Sequence, residues 1–175
     1  MRDFARSTLR RVAVETRGAE IAEAAAVLPL MFMILLGIFW FGQAFSIYGT
    51  ITRAAQDGAR AGAAPYCTTC NSPNTPPTNA VNAVTTAMTT AKLDPNLARF
   101  PVPLPVFTNC GTPPASASAK IYVQVPVLFS NTGSGGVCGI SDSFQYPFQF
   151  WLPFTSLNKQ KIWLTASAHA RLENQ

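Results

Sequence analysis

The sequence predicts an α+β protein. It should have a long amino-terminal transmembrane and stalk helix, a second short helix, and a small antiparallel β-sheet that forms a head. Three observations carry this. Ala24 to Thr52 holds no charged residue and is mostly Ala, Leu, Ile, Met, Phe and Trp. Thr78 to Leu93 places Ala80, Val81, Val84, Ala87, Met88 and Ala91 along one helical stripe. Ile121 to Val125 and Lys161 to His169 alternate as half-buried strands do.

Taking the elements in order, residues 1–18 form a basic leader, in which five arginines stand against Asp3 and Glu15. The apolar run that follows supplies the roughly 20 residues that a bilayer core requires of a helix rising about 1.5 Å per residue. Residues 24–45 are therefore expected to span a membrane, with Trp40 and Tyr48 as interfacial anchors. Helical spacing continues through Ile47, Ile51, Ala54, Ala55, Gly58, Ala59 and Gly62 until Pro65. A helix over 19–64 would be about 65–70 Å long, twice a bilayer core, and is expected to project as a stalk. Gly58 and Gly62 make a small-xxx-small step that suits either packing on the chain's own head or contact with another helix. Pro29 removes one backbone donor near Ala25, a kink or simply a proline of the kind membrane helices tolerate.

The head is expected to occupy 65–175. Residues 66–78 read as a loop, and Pro95 closes the second helix. Residues 102–108 are a proline-broken run fit at best for an edge strand. Asn131 to Gly139 reads as a glycine-rich loop. The aromatics of 144–154, set around Pro147 and Pro153, are either cover for the sheet or a contact surface.

Only 12% of the chain is charged, about half the usual share, and the deficit lies in the membrane span. The net charge of +5 does not indicate nucleic acid. Three units of it sit in the leader, and the remainder holds eight cations against six anions, with no basic stripe interleaved with aromatics. The leader's arginines instead orient the helix, amino terminus inside and head outside. There Cys67, Cys70, Cys110 and Cys138 are most simply two disulfides of any of three connectivities. A metal site or a redox Cys67–Cys70 pair are the rival readings, although no second CxxC or nearby histidine completes four ligands.

Catalytic readings find little support. His169 is the only histidine, Ser141 and Asp142 adjoin in a predicted loop, and Asp94 and Asp142 are scattered. The run Gly133 to Gly136 lacks the lysine of a phosphate loop. No catalytic residue, metal or cofactor is implied.

Gly18 is followed by Ala19, by Glu23 five positions on, and by the apolar span, a pattern that resembles class III processing by a prepilin peptidase. A cut after Gly18 would leave an ammonium on Ala19, with Glu23 one helical turn away. A carboxylate at the bilayer edge costs a few kcal/mol unless paired. In a bundle of such helices, Glu23 of one subunit could neutralise the ammonium of the next and fix their stagger.

Gly18, Glu23, Pro29, Gly37, Gly42 and the stretch Ala54 to Ala61 together resemble the TadE-like family, pilin-like proteins of Flp (tight adherence, type IVc) pilus systems. The resemblance covers residues 17–63, and 66–160 carry no family motif. Glu20 stands where the family commonly has a small uncharged residue. The resemblance implies a pilin-like fold and a minor pilin or pseudopilin. Such a protein would be single-pass in a bacterial inner membrane, with a periplasmic or extracellular head. Its partners would be the prepilin peptidase, pilus platform proteins and other pilins, in homo- or hetero-oligomers. The alternative is an uncleaved membrane-anchored binding or adhesion module. A disulfide-exchange protein using Cys67 and Cys70 is a third reading.

Overall fold

The computed structural model describes residues 16–65, 75–106, 108, 110, 120–130, 137–149 and 161–172. The leader before Thr16, the predicted loop with Cys67 and Cys70, the glycine-rich residues 131–136 and the aromatics of 150–154 lie outside these. The elements are helix α1 (Thr16–Ala63), helix α2 (Pro76–Thr90), a 3-10 turn (Pro95–Leu97) and strands β1 (Tyr122–Ser130), β2 (Val137–Gln149) and β3 (Lys161–Arg171). This is the expected α+β architecture of a long helix, a short helix and a small antiparallel sheet. The chain divides into two compact units at Gln43/Ala44, a boundary that falls inside α1.

The first unit contains the apolar half of α1. Leu30, Met33, Ile34, Ile38 and Phe41 are each more than half exposed. With no described residue packed against it, this apolar surface suits the interior of a bilayer. Among the described residues α1 is the one helix long and apolar enough to cross a membrane. It continues through Pro29.

The second unit begins at Ala44 and takes in the carboxyl-terminal part of α1, which packs on the head as one of the two expected readings of its small-residue face has it. Ile51, Ala54, Ala55, Gly58, Ala59, Gly62 and Ala63 form a buried stripe on this part of the helix. Arg53, Gln56 and Arg60 stay exposed between them. The three- and four-residue spacing that predicted the helix is thus also the spacing of its packed face.

α2 begins on two prolines, tolerated because the first turn has no intrahelical acceptor for its amides. It buries Pro76, Pro77, Ala80, Val84 and Met88. Its exposed threonines turn their hydroxyls back onto the helix, Thr89 to the Thr85 carbonyl at 3.0 Å and Thr90 to that of Thr86 at 2.8 Å. The helix closes with the Leu93 amide donating to the Met88 carbonyl and the Lys92 amide donating to that of Thr89. Lys92 takes the left-handed φ of 60° that this closure needs.

The sheet has the order β1-β2-β3, antiparallel throughout. β2 is central, which corrects the reading of 137–139 as loop; of the aromatics expected to be sheet cover or a contact surface, Phe144, Tyr146 and Phe148 are buried. Ser141 and Asp142, expected in a loop, lie mid-strand. Hydrophobic Ile140, Phe144, Tyr146 and Phe148 alternate along one face of β2 and are buried. Asp142 interrupts that pattern, and with Gly139, Ser141, Ser143 and Pro147 it gave the segment a loop-like composition. Residues 102–106 form no strand, since alternate prolines remove the donors a ladder requires. The nearby Thr108 carbonyl does accept the Leu128 amide at 2.8 Å. Arg99 and Gln145 exchange both backbone hydrogen bonds, extending the β1 side of the sheet.

Candidate functional site

The predicted processing residues lie at the start of α1. Gly18 and Glu20 are exposed, a Cβ at Gly18 would meet nothing within 4 Å, and the Gly18–Ala19 bond falls within the first turn. That turn has four amides without intrahelical acceptors, so it is the part of the helix that opens at least cost. Glu23 is exposed and lies one turn beyond Ala19, a rise of about 6 Å.

The glycines of α1 fall into two groups. At Gly37, Gly42 and Gly49 an added Cβ would meet open space. At Gly58 it would run into Val84 Cγ2 and come within 2.6 Å of Asp142 Oδ2, and at Gly62 it would strike Ile140 Cδ1 and lie 3.0 Å from the Pro76 carbonyl oxygen. Gly58 and Gly62 are therefore where α1 is pressed between α2 and β2, inside its own head.

Asp142 is the residue that sequence reasoning missed. It is wholly buried on the helix-facing side of β2, opposite Val123 of β1 and Ala168 of β3. Among the described residues, neither carboxyl oxygen has a partner at hydrogen-bond geometry. Burial pushes its pKa up to about 8, against a smaller downward pull from the amides of Asp142 and Ala168. The period-2 apolar pattern running from Ile140 to Phe148 was the signal that could have placed it.

On the opposite face of the sheet, Arg99 stacks 3.3 Å from the Trp163 ring centroid and donates from Nε to Gln145 Oε1 at 3.1 Å. The Gln145 amide in turn donates to Thr165 Oγ1 at 3.1 Å. His169 packs edge-on against Phe129, and burial lowers its pKa. Cys110 and Cys138 form a disulfide that ties the chain before β1 to the start of β2, with Cα atoms 6.1 Å apart. The predicted Cys67 and Cys70 lie outside the described residues.

Residues 18–60 match the family described as TadE-like protein. The TadE-like match begins at the predicted cut and ends at Arg60, so it takes in both the exposed apolar half of α1 and most of its buried small-residue face. It points to involvement in Tad pilus systems. No curated protein and no solved structure matches the chain at a significant level. The TadE-like resemblance thus rests on the helix, and the sheet of the head lies beyond it.

Proposed function

We propose that the protein is a minor pilin or pseudopilin that takes part in assembling an Flp/Tad-type pilus. It is inserted in the bacterial inner membrane with its leader inside, cut after Gly18 by a prepilin peptidase, and assembled through α1 with the pilus platform and other pilins. Its role is structural, with no catalytic step. The observation that carries this reading is the TadE-like segment itself, a single helix from Gly18 to Arg60. Its first half offers an unpartnered apolar surface, with Glu23 one turn from the cut. In an assembled bundle the carboxylate of Glu23 and the new ammonium of Ala19 neutralise each other, and any other stagger leaves both charges unpaired.

Mass spectrometry of the protein from a strain that makes the peptidase tests the proposal. The expected amino-terminal residue is Ala19. An intact Met1 would sink the processing claim and leave the uncleaved anchor as the better account. Glu23→Ala should still insert but assemble poorly, and normal piliation in that variant would remove the charge-pairing account.

A further inference from the structure

The carboxyl-terminal half of α1 is held in the head by packing alone. Among the described residues no hydrogen bond or ion pair runs from it to α2 or the sheet, since the Thr50 and Thr52 hydroxyls and the Ala64 amide all bond within the helix. Its buried face is Ile51, Ala54, Ala55, Gly58, Ala59 and Gly62, side chains with little apolar area to hold it down. The strands, by contrast, are joined by two ladders, and Cys110 is bonded to Cys138 of β2. The seam between α1 and the sheet is therefore where the head parts at least cost.

Asp142 lies on that seam. Its side chain is wholly buried, and a Cβ at Gly58 would come within 2.6 Å of Oδ2, so the carboxyl rests against α1. Val123 and Ala168 flank it within the sheet. No charged group of the surrounding elements faces it. On α1, Arg53 and Arg60 are exposed, and Asp57 borders a cavity with Thr50 and Ala87. α2 has no ionisable side chain. In β1 only Tyr122 is ionisable, and it pairs with Ser143 on the opposite face. In β3, Lys161, His169 and Arg171 all alternate with Ala168 and so also lie on that opposite face. Tyr146 shares the face of Asp142, but burial raises its pKa and keeps it neutral. A carboxylate with neither cation nor water beside it is strongly disfavoured, so the closed seam requires a neutral Asp142. Hydrating the ionised form requires α1 to part from β2, because the ladders hold Val123 and Ala168 in place.

We propose that Asp142 is a proton latch: protonated, it lets α1 lie on the sheet, and on losing its proton it releases the carboxyl-terminal half of α1 from β2 and exposes the small-residue face while the strands stay paired. The latch is built from the head's own residues and does not rest on the pilus reading. Its working range follows from linkage. The closed seam keeps the proton to about pH 8, whereas an exposed aspartate releases it near 3.8. Between those values the opening constant rises about tenfold per pH unit.

The test uses the full chain in a zwitterionic detergent with Ala59→Cys as reporter, since Ala59 is 1% exposed and lies on the seam. Labelling by a small maleimide is measured from pH 5 to 9, relative to the rate in concentrated urea at the same pH, with the chain lacking the reporter as blank. Protection should fall about tenfold per pH unit up to pH 8 and then level off. Adding Asp142→Asn should make it independent of pH. Ser143→Cys, 2% exposed on the opposite face, should stay at least tenfold better protected, because the sheet does not open with the seam. Ala63→Cys is the second reporter if Ala59→Cys lowers the melting midpoint. Protection that is flat with pH, or that falls equally in the Asp142→Asn chain, would overturn the latch. Equal protection at Ala59→Cys and Ser143→Cys would mean global unfolding and would overturn the seam. Because labelling is read on purified protein, failure here is distinguishable from failure of processing or assembly.

Discussion

Replacing Asp142 with asparagine removes a titratable carboxyl that the head buries with no cation beside it among the described residues. An unfolded chain ionises Asp142 near its ordinary value of 3.8, whereas the folded head holds the proton to about pH 8. Between those values folding must take up a proton, so stability falls as pH rises, by about 1.4 kcal/mol per unit. Below pH 3.8 the residue contributes no pH dependence, and above pH 8 the loss levels off. At pH 7 the accumulated loss is about 4 kcal/mol. Asparagine escapes it but leaves an amide in the same unpartnered place, at a cost of about 1–3 kcal/mol. The net expectation for Asp142→Asn is a gain of about 1–3 kcal/mol at pH 7, shrinking to nothing or reversing near pH 4. Denaturant unfolding from pH 4 to 9, followed by tryptophan fluorescence, measures both slopes. A wild-type stability that stays flat from pH 5 to 8, or a variant that is weaker at every pH, would refute the reasoning.

Gly58→Ala should lose about 1–2 kcal/mol, the strain of an added methyl against Val84 and Asp142 less the gain in helix propensity. Gly37→Ala, facing open space, should leave the melting midpoint of the purified protein unchanged or higher, so equal losses at both sites would contradict the packing. Lys92→Gly relieves a left-handed backbone position and should stabilise the head by about 1 kcal/mol in the same unfolding assay. Replacing Cys110 and Cys138 by serine opens a closed loop of 28 residues' separation and should cost about 3–4 kcal/mol by the chain-entropy estimate, read as a lower denaturant midpoint.

The long helix, the second helix and the last strand were legible because each repeats one period over many residues, and long periodic runs resist local exceptions. The central strand was not, because its outward face is polar and its inward face holds Asp142. Turn-forming residues then dominate a segment whose strand identity comes from pairing on both sides. The fate of residues 44–63 was legible only as a choice. Small residues at helical spacing announce close contact but do not name the partner, and that partner is Ala80 and Val84 of α2 with Ile140 and Asp142 of β2. The candidate processing residues Gly18, Ala19 and Glu23 were named by motif, which needs no tertiary structure.

The order in which the head's parts leave the ribosome gives its small-residue stripe a further meaning. Gly58 is made 84 residues before Asp142, a delay of about 4–17 s at ordinary elongation rates. For that time the stripe has no sheet to cover it. A face of leucines would bind whatever apolar surface passed first, whereas alanines and glycines expose little area for such attraction. The same choice that lets helix and sheet approach closely also keeps the newborn chain unreactive until its last strand arrives.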